Sequence, residues 1–182
     1  MFLKKKEQWS TFALKASVFV TALVTSFYWF MGNYRIGIDF QGERCLPEHK
    51  VWLIDLNDQR LVKGATYSFH SKGAAPIYTD GTRMLKILAA VPGDKVAVRV
   101  DSEHINGVEV VREPQVLVND TIVARGLIHA KRAQVDYRQF AGESVLTEGR
   151  YWFLGTSPLS FDSRYWGTVT SEQIIGRAYA IF

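Results

Sequence analysis

Residues 83–96 read Arg83-Met84-Leu85-Lys86-Ile87-Leu88-Ala89-Ala90-Val91-Pro92-Gly93-Asp94-Lys95-Val96, an apolar run that contains one lysine and ends at a Pro-Gly-Asp turn. The apolar residues around Lys86 predict a strand that is buried on both faces. An ammonium in such a strand must reach water, find a partner or lose its proton. Burial favours the neutral form of an amine, and a neutral amine can act as a general base. Lys86 is therefore either a strand-edge lysine that reaches water or a candidate catalytic base.

The positive charge of the chain is concentrated at its amino terminus. Five of the 22 basic residues and one of the 18 acidic residues lie within residues 1–35, which leaves 17 of each in residues 36–182. The larger segment therefore has no net basic charge of the kind that nucleic-acid binding usually requires. We accordingly expect no nucleic-acid partner.

The amino-terminal segment has the composition of a membrane anchor. A lysine cluster at Lys4-Lys5-Lys6 precedes an apolar stretch, residues 9–31, that is long enough to span a bilayer and ends in the aromatic run Phe27-Tyr28-Trp29-Phe30. The lysines predict that the amino terminus lies in the cytoplasm, so residues 36–182 would lie in the periplasm, outside the inner membrane. A cleaved signal peptide is the alternative, although no small-x-small cleavage site follows the apolar stretch.

From residue 36 onward the sequence predicts a single, mostly antiparallel β domain. Short runs rich in β-branched and aromatic residues are separated by Gly, Asn and Asp. Asn106-Gly107 and Asn119-Asp120 each separate two such runs and predict two-residue hairpin turns. The expected strands include residues 51–54, 66–69, 96–100 and 151–154, and the segment 126–134 is expected to hold a short turn.

Three segments, in order, resemble the type I signal peptidase family. Lys86 with Pro92-Gly93-Asp94 resembles the lysine block of that family, and residues 155–167 end in Ser160-Phe161-Asp162-Ser163-Arg164-Tyr165-Trp166-Gly167, which resembles its last conserved block. Ile175-Gly176-Arg177-Ala178 resembles its closing segment. The resemblance implies an amino-terminal transmembrane helix (residues 1–35 with the cytoplasmic tail) followed by a signal-peptidase-like catalytic domain (residues 36–182).

The same resemblance locates the nucleophile, where this chain departs from the family. The family has a serine in a Ser-Met-x-Pro block after the anchor, and the matching segment here is Cys45-Leu46-Pro47. This compact block is similar to the conjugative-transfer branch of the family, the TraF and TrhF type, whose members process pilin precursors and in some cases join the pilin ends into a ring. A thiol is more easily ionised than a hydroxyl, so Lys86 could either take its proton or hold the thiolate as an ion pair.

The resemblance assigns supporting roles to three residues and raises a question about a fourth. Ser160 matches the serine that hydrogen-bonds the lysine amine, and Asp162 and Arg164 match a supporting ion pair. The oxyanion hole would use the Cys45 N–H and a side-chain hydroxyl two residues earlier, where this chain has Glu43. An ionised carboxylate cannot donate a hydrogen bond, so the second donor must come from elsewhere or the hole is weaker.

Other interpretations of the site remain open at this stage. Cys45 could be a buried small apolar residue, a mixed-disulfide partner or the mark of an inactive peptidase. A Cys/His pair with His49 or His70 is an alternative, although Pro47 separates Cys45 from His49. His104 and His129 lack metal-ligand spacing, and with one cysteine we expect neither a metal site nor a cofactor.

The sequence thus predicts an inner-membrane endopeptidase with Cys45 as nucleophile and Lys86 as base. Its expected partners are the lipid bilayer, a membrane-embedded, pilin-like precursor and conjugative-transfer proteins. A catalytically inactive component of pilus assembly is the alternative from another class, favoured by Glu43 and the missing serine. A general signal peptidase is disfavoured by the short block after Cys45 and by the small β domain.

Overall fold

The computed structural model describes residues 8–42, 44–75 and 77–182. Contacts divide the chain into two units, one ending at Arg35 and one comprising Ile36–Phe182. The helices are α1 (Trp9–Asn33), α2 (Ile128–Arg132) and α3 (Ser163–Trp166), with 3-10 turns at Tyr137–Phe140 and Ser171–Gln173. The strands are β1 (Tyr34–Ile38), β2 (Val51–Asp55), β3 (Thr66–His70), β4 (Arg83–Ala90), β5 (Lys95–Arg99), β6 (Ser102–Ile105), β7 (Val108–Val111), β8 (Gln115–Val118), β9 (Thr121–Arg125), β10 (Gly142–Val145), β11 (Arg150–Leu154), β12 (Val169–Thr170) and β13 (Ile174–Ala180).

Helix α1 is a 25-residue helix, and it is long and apolar enough to cross a membrane. A bilayer core needs about 20 such residues. None of its side chains is buried, as expected for a helix whose apolar surface is covered by lipid rather than by protein. A signal sequence near the amino terminus has the same length and composition, so the helix alone does not separate the anchor from that alternative.

The strands form three sheets. The largest has seven strands in the order β1-β2-β13-β3-β4-β11-β12, the second has the order β10-β5-β8-β9, and the third is the hairpin β6-β7. The described pairings are antiparallel. The prediction of a mostly antiparallel β fold with one amino-terminal apolar helix is therefore confirmed.

Both predicted hairpin turns are also confirmed. Asn106-Gly107 joins β6 to β7, and Asn119-Asp120 joins β8 to β9. All four turn residues have positive φ, as a two-residue type I′ turn requires, and Asn, Asp and Gly tolerate that conformation best. The segment expected to hold a short turn contains helix α2.

One face of strand β4 is more deeply buried than the other. The buried positions are Met84, Lys86, Leu88 and Ala90, and the residues between them are half-buried. Lys86 retains 3% of its accessible surface, and its direct neighbour on β3 is the fully buried Tyr67. The structure therefore does not support a strand-edge lysine that extends into water.

The Pro-Gly-Asp turn after β4 is held together by Asp94. Its carboxylate accepts hydrogen bonds from the Val91 N–H at 2.9 Å, the Lys63 amine at 2.9 Å and the Asn119 amide at 2.6 Å. Burial would raise the pKa of Asp94, but these three hydrogen bonds outweigh it and hold the pKa below its ordinary value. Because Asn119 belongs to the β8–β9 turn, Asp94 fixes the second sheet relative to the end of β4.

Candidate active site

A cleft of about 390 Å³ lies beside the amino-terminal half of β4, within the unit Ile36–Phe182. Residues 83–86 pair with β3 on one side, whereas β11 pairs with the other side of β4 only from Ile87 onward. One edge of residues 83–86 is therefore free of strand partners among the described residues. The cleft is lined by residues 36–41 and 82–86 and by Cys45, Ile54, Ser68, Tyr78 and Phe161.

Cys45 is held in this cleft by its neighbour and by its own backbone. The side chain of Leu46 is buried in an apolar cluster with Trp52 and Ile54, which fixes the segment next to Cys45. The Cys45 carbonyl accepts hydrogen bonds from the N–H groups of Thr156 and Ser157, at 3.0 and 3.2 Å. The thiol is free and half-buried, so it is positioned without being sealed from a substrate.

Lys86 lines the same cleft as Cys45 and is almost fully buried. No carboxylate pairs with its amine among residues 8–42, 44–75 and 77–182. The buried carboxylate of this region, Asp162, is occupied by Arg164 instead. Burying an ammonium without an acidic partner is costly, so an ion pair with a carboxylate does not explain a lysine at this position.

Gly155 is the point at which the nucleophile segment and the Ser160 loop meet. A Cβ atom at Gly155 would lie 2.3 Å from Ser160 Oγ and 2.8 Å from the Cys45 carbonyl oxygen. Ser160 is fully buried, and its hydroxyl has no hydrogen-bond partner in the part of the chain that the structure describes. The predicted hydrogen bond between Ser160 and the Lys86 amine is thus not formed here.

Gly155→Ala is expected to reduce activity, because the added methyl group forces apart the segments that carry Cys45 and Ser160. A small displacement of reacting groups lowers a reaction rate by about 10²-fold, and we expect a loss of this size. The measurement is the rate of precursor cleavage by purified variants. Gly142→Ala is the matched control, since a Cβ there meets nothing within 4 Å. Equal loss in both variants would contradict this assignment of Gly155.

The ion pair expected between Asp162 and Arg164 is present and fully buried. Arg164 Nε lies 2.7 Å from Asp162 Oδ1, and a terminal nitrogen lies 2.8 Å from Oδ2. Asp162 also accepts the Gly155 N–H at 3.0 Å, and Arg164 donates to the Ser160 carbonyl at 3.2 Å. Burial alone would lower the pKa of Arg164, but Asp162 outweighs that effect and raises it. The pair thus holds both ends of the loop that carries Ser160.

Removing one member of this pair is expected to destabilise the domain by about 3–5 kcal/mol, because the remaining charge stays buried without a partner. Arg164→Met and Asp162→Asn should therefore each lower the midpoint of thermal unfolding in detergent clearly. Arg60→Met breaks an ion pair whose arginine side chain is 85% exposed, and it should leave the midpoint nearly unchanged. A similar midpoint for Arg164→Met and Arg60→Met would contradict the prediction.

The histidines offer no support for a Cys/His pair. The His49 ring packs edge-on against Trp52, with ring centroids 5.4 Å apart, and neither His49 nor His70 lines the cleft. His129 instead hydrogen-bonds the Leu159 carbonyl through Nε2 at 2.9 Å. Within the described residues there is no cluster of His, Cys, Asp or Glu suited to a metal ion.

Comparison with known proteins places the chain in a family. A family model described as "Signal peptidase, peptidase S26" matches residues 20–182. The chain belongs to this signal peptidase family. A search of curated proteins found no match. The chain is also similar to the crystal structure of a signal peptidase I from Enterococcus faecalis, with 19% identity, a TM-score of 0.38, and coverage of 66% of this chain and 98% of that chain. Membership of the signal peptidase family and the apolar α1 together suggest membrane anchoring.

The structure brings the predicted residues of this signal-peptidase-like site into one region, with one exception. Cys45 and Lys86 share the cleft, and Ser160 contacts the segment around Gly155. Glu43, the residue at the expected second oxyanion position, lies outside the described residues. Sequence reasoning assigned no role to Tyr78, which lines the same cleft as Cys45. Tyr78 stands in no periodic pattern or motif, and no sequence signal singles it out.

Proposed function

We propose that the chain is a membrane-anchored endopeptidase in which Cys45 is the nucleophile and Lys86 is the general base. The observation that carries the proposal is the environment of Lys86, which is 3% exposed and lacks a carboxylate partner among the described residues, in a cleft that it shares with Cys45. A lysine kept only for structure would be expected to pair with an acid or to reach water. The membership of the signal peptidase family supports the same reaction class.

In the first half of the proposed reaction, Lys86 removes the thiol proton of Cys45, and the sulfur attacks the scissile carbonyl carbon of the substrate. The resulting tetrahedral intermediate places negative charge on the carbonyl oxygen. When it collapses, the C–N bond breaks and the leaving amine takes the proton from Lys86. The product is a thioester between Cys45 and the upstream part of the substrate.

The open edge of β4 suggests how the substrate is held. No strand of the described residues pairs with one edge of residues 83–86, and this edge lines the cleft together with residues 36–41. An extended peptide can complete such an edge as an added strand, with main-chain hydrogen bonds supplying affinity. This mode directs the substrate carbonyl along β4 toward Lys86 and Cys45.

The second half of the reaction releases the thioester in one of two ways. Water can hydrolyse it, or the substrate's own amino terminus can attack it and close a peptide ring, with loss of the thiolate in both cases. Amines attack thioesters well, and this reactivity favours the cyclic product. The compact Cys45-Leu46-Pro47 block, similar to the conjugative-transfer branch, supports a pilin-like precursor as the substrate.

The cellular arrangement that fits this proposal is a single-pass protein of the inner membrane. The amino-terminal lysines favour a cytoplasmic amino terminus, so that the unit Ile36–Phe182 would act in the periplasm. There it would meet exported precursors that are still embedded in the bilayer, together with other conjugative-transfer proteins.

The experiment that tests the proposal is co-expression of the chain with a candidate pilin precursor, followed by intact-mass spectrometry of the pilin. Cleavage should appear with the wild type and be absent with Cys45→Ala. A ring product is lighter by one water than the hydrolysed product of the same cleavage. If mature pilin appears equally with Cys45→Ala, the enzyme proposal is wrong, and a non-catalytic role in pilus assembly takes its place.

A further inference from the structure

The proposed chemistry needs two donors for the oxyanion, and the cleft shows one. The Cys45 N–H makes no hydrogen bond to any acceptor among the described residues, so it is available. The position expected to supply the second donor is Glu43, and an ionised carboxylate cannot donate. A second donor must therefore be sought among the side-chain hydroxyls that line the cleft, which are those of Ser68, Tyr78 and Thr82.

Two of these hydroxyls are excluded as the second oxyanion donor, Ser68 by its position and Thr82 by its hydrogen bond. Ser68 lies opposite Leu85 on the β3–β4 ladder, whereas Lys86 lies opposite Tyr67. Successive residues of a strand alternate between the faces of a sheet, so Ser68 projects from the face opposite to Lys86. Thr82 uses its hydroxyl proton in a 2.7 Å hydrogen bond to the Thr79 carbonyl. Tyr78 is the remaining candidate.

Tyr78 is placed to act on Cys45. Its ring packs against Phe161, with centroids 5.9 Å apart, and its N–H donates to the Ala74 carbonyl at 3.1 Å. Tyr78 and Cys45 line the same cleft. Burial raises the pKa of the Tyr78 hydroxyl, and the electrostatic interaction with Cys45 acts in the same direction.

The Gln41 side chain hydrogen-bonds the Tyr78 hydroxyl, and this contact acts to lower the pKa of the phenol, against the larger effect of burial. A tyrosine hydroxyl can accept one hydrogen bond while it donates another. The contact with Gln41 is therefore compatible with donation from Tyr78 to an oxyanion.

We propose that the Tyr78 hydroxyl donates the second hydrogen bond to the oxyanion that forms when Cys45 attacks the substrate carbonyl. This inference rests on the proposed peptidase function. In chemical terms a neutral phenol replaces the hydroxyl that Glu43 does not supply. Removing a single oxyanion donor typically costs about 10²–10³-fold in turnover, whereas a tyrosine that only forms the cleft wall loses little when it becomes phenylalanine.

The test compares two reactions of the Cys45 thiol in the full-length enzyme. N-acetyl-Ala-Ala p-nitrophenyl ester acylates the sulfur through a tetrahedral oxyanion, whereas iodoacetamide alkylates it without forming one. For Tyr78→Phe we expect an acylation rate about 10²–10³-fold lower and an unchanged alkylation rate. Tyr137→Phe, outside the cleft, is the matched control, and the alkylation rate also verifies that each variant is folded around Cys45.

Each other outcome rejects a defined part of the account. An unchanged acylation rate in Tyr78→Phe overturns the oxyanion role. An equal decrease in the acylation and alkylation rates overturns the oxyanion role as well, because Tyr78 would then act on the thiol itself. If the wild type is acylated no faster than Cys45→Ala, the proposed peptidase function fails, and that failure is separate from the result for Tyr78→Phe.

Discussion

Replacing Cys45 with alanine is expected to abolish processing of the precursor. The cleavage rate should fall by a factor on the order of 10⁴ or more, as it does when the nucleophile is removed from other catalytic groups that act together. The reason is that Cys45 carries the single thiol of the chain, and the hydroxyls described nearest to it are not suited to replace it. Ser160 is fully buried, and the Thr82 hydroxyl donates to the Thr79 carbonyl. The measurement is the rate of precursor cleavage by purified protein in detergent.

Cys45→Ser is the matched variant, and it distinguishes a catalytic cysteine from one without a catalytic role. A serine at this position restores the hydroxyl–lysine pair typical of the family, so cleavage should remain above the level of Cys45→Ala. It should also require a higher pH than the wild type, because a hydroxyl is much harder to ionise than a thiol and needs a larger neutral fraction of the base. Equal activity in the wild type and Cys45→Ala would show that Cys45 is not the nucleophile.

Replacing Lys86 with methionine is expected to slow cleavage by about 10²–10⁴-fold, the usual contribution of a general base. The same change should leave the domain equally stable or more stable. Lys86 is almost fully buried and has no carboxylate partner among the described residues, so methionine fills a similar volume without a desolvated amine. Activity and thermal unfolding measured on one preparation test both statements.

Two further variants control this result. Lys131→Met removes an exposed lysine of α2 and should change neither activity nor the unfolding midpoint. Lys86→Arg keeps a positive charge but has no accessible neutral form, so it separates proton removal from ion pairing with the thiolate. Loss of activity in Lys86→Arg supports a base. A clear loss of stability in Lys86→Met would contradict the account, because it would reveal a structural partner.

The parts of the fold that the sequence predicts are those with local causes. The Asn-Gly and Asn-Asp turns need positive φ, and the residues that tolerate it are present at both places. The apolar run around Lys86 likewise predicts a buried strand, but it leaves open whether the amine reaches water or is buried. Its burial depends on the pairing of β4 with β3, where the fully buried Tyr67 lies opposite Lys86, and on how the rest of the chain packs around this pair.

The parts of the site that sequence could not predict depend on how loops pack together. Gly155 is one residue in a loop, and its role becomes visible only because the Cys45 carbonyl and Ser160 approach it in space. Tyr78 belongs to the connection between β3 and β4, where no period or motif marks it. It enters the cleft through contacts with Phe161 and Gln41, which are 83 and 37 residues away along the chain. Long-range packing of this kind leaves no local pattern.

The proposed reaction depends on a thioester that forms on Cys45, and this intermediate can be trapped. Wild-type enzyme is mixed with the precursor, quenched in acid within the first turnover, and digested for peptide mass spectrometry. We expect the Cys45 peptide to carry an adduct with the mass of the upstream part of the precursor. Neutral hydroxylamine should remove this adduct, and Lys86→Met should accumulate it far more slowly than the wild type. Cleavage of the precursor with no adduct on Cys45, or with an adduct on another residue, would contradict the account.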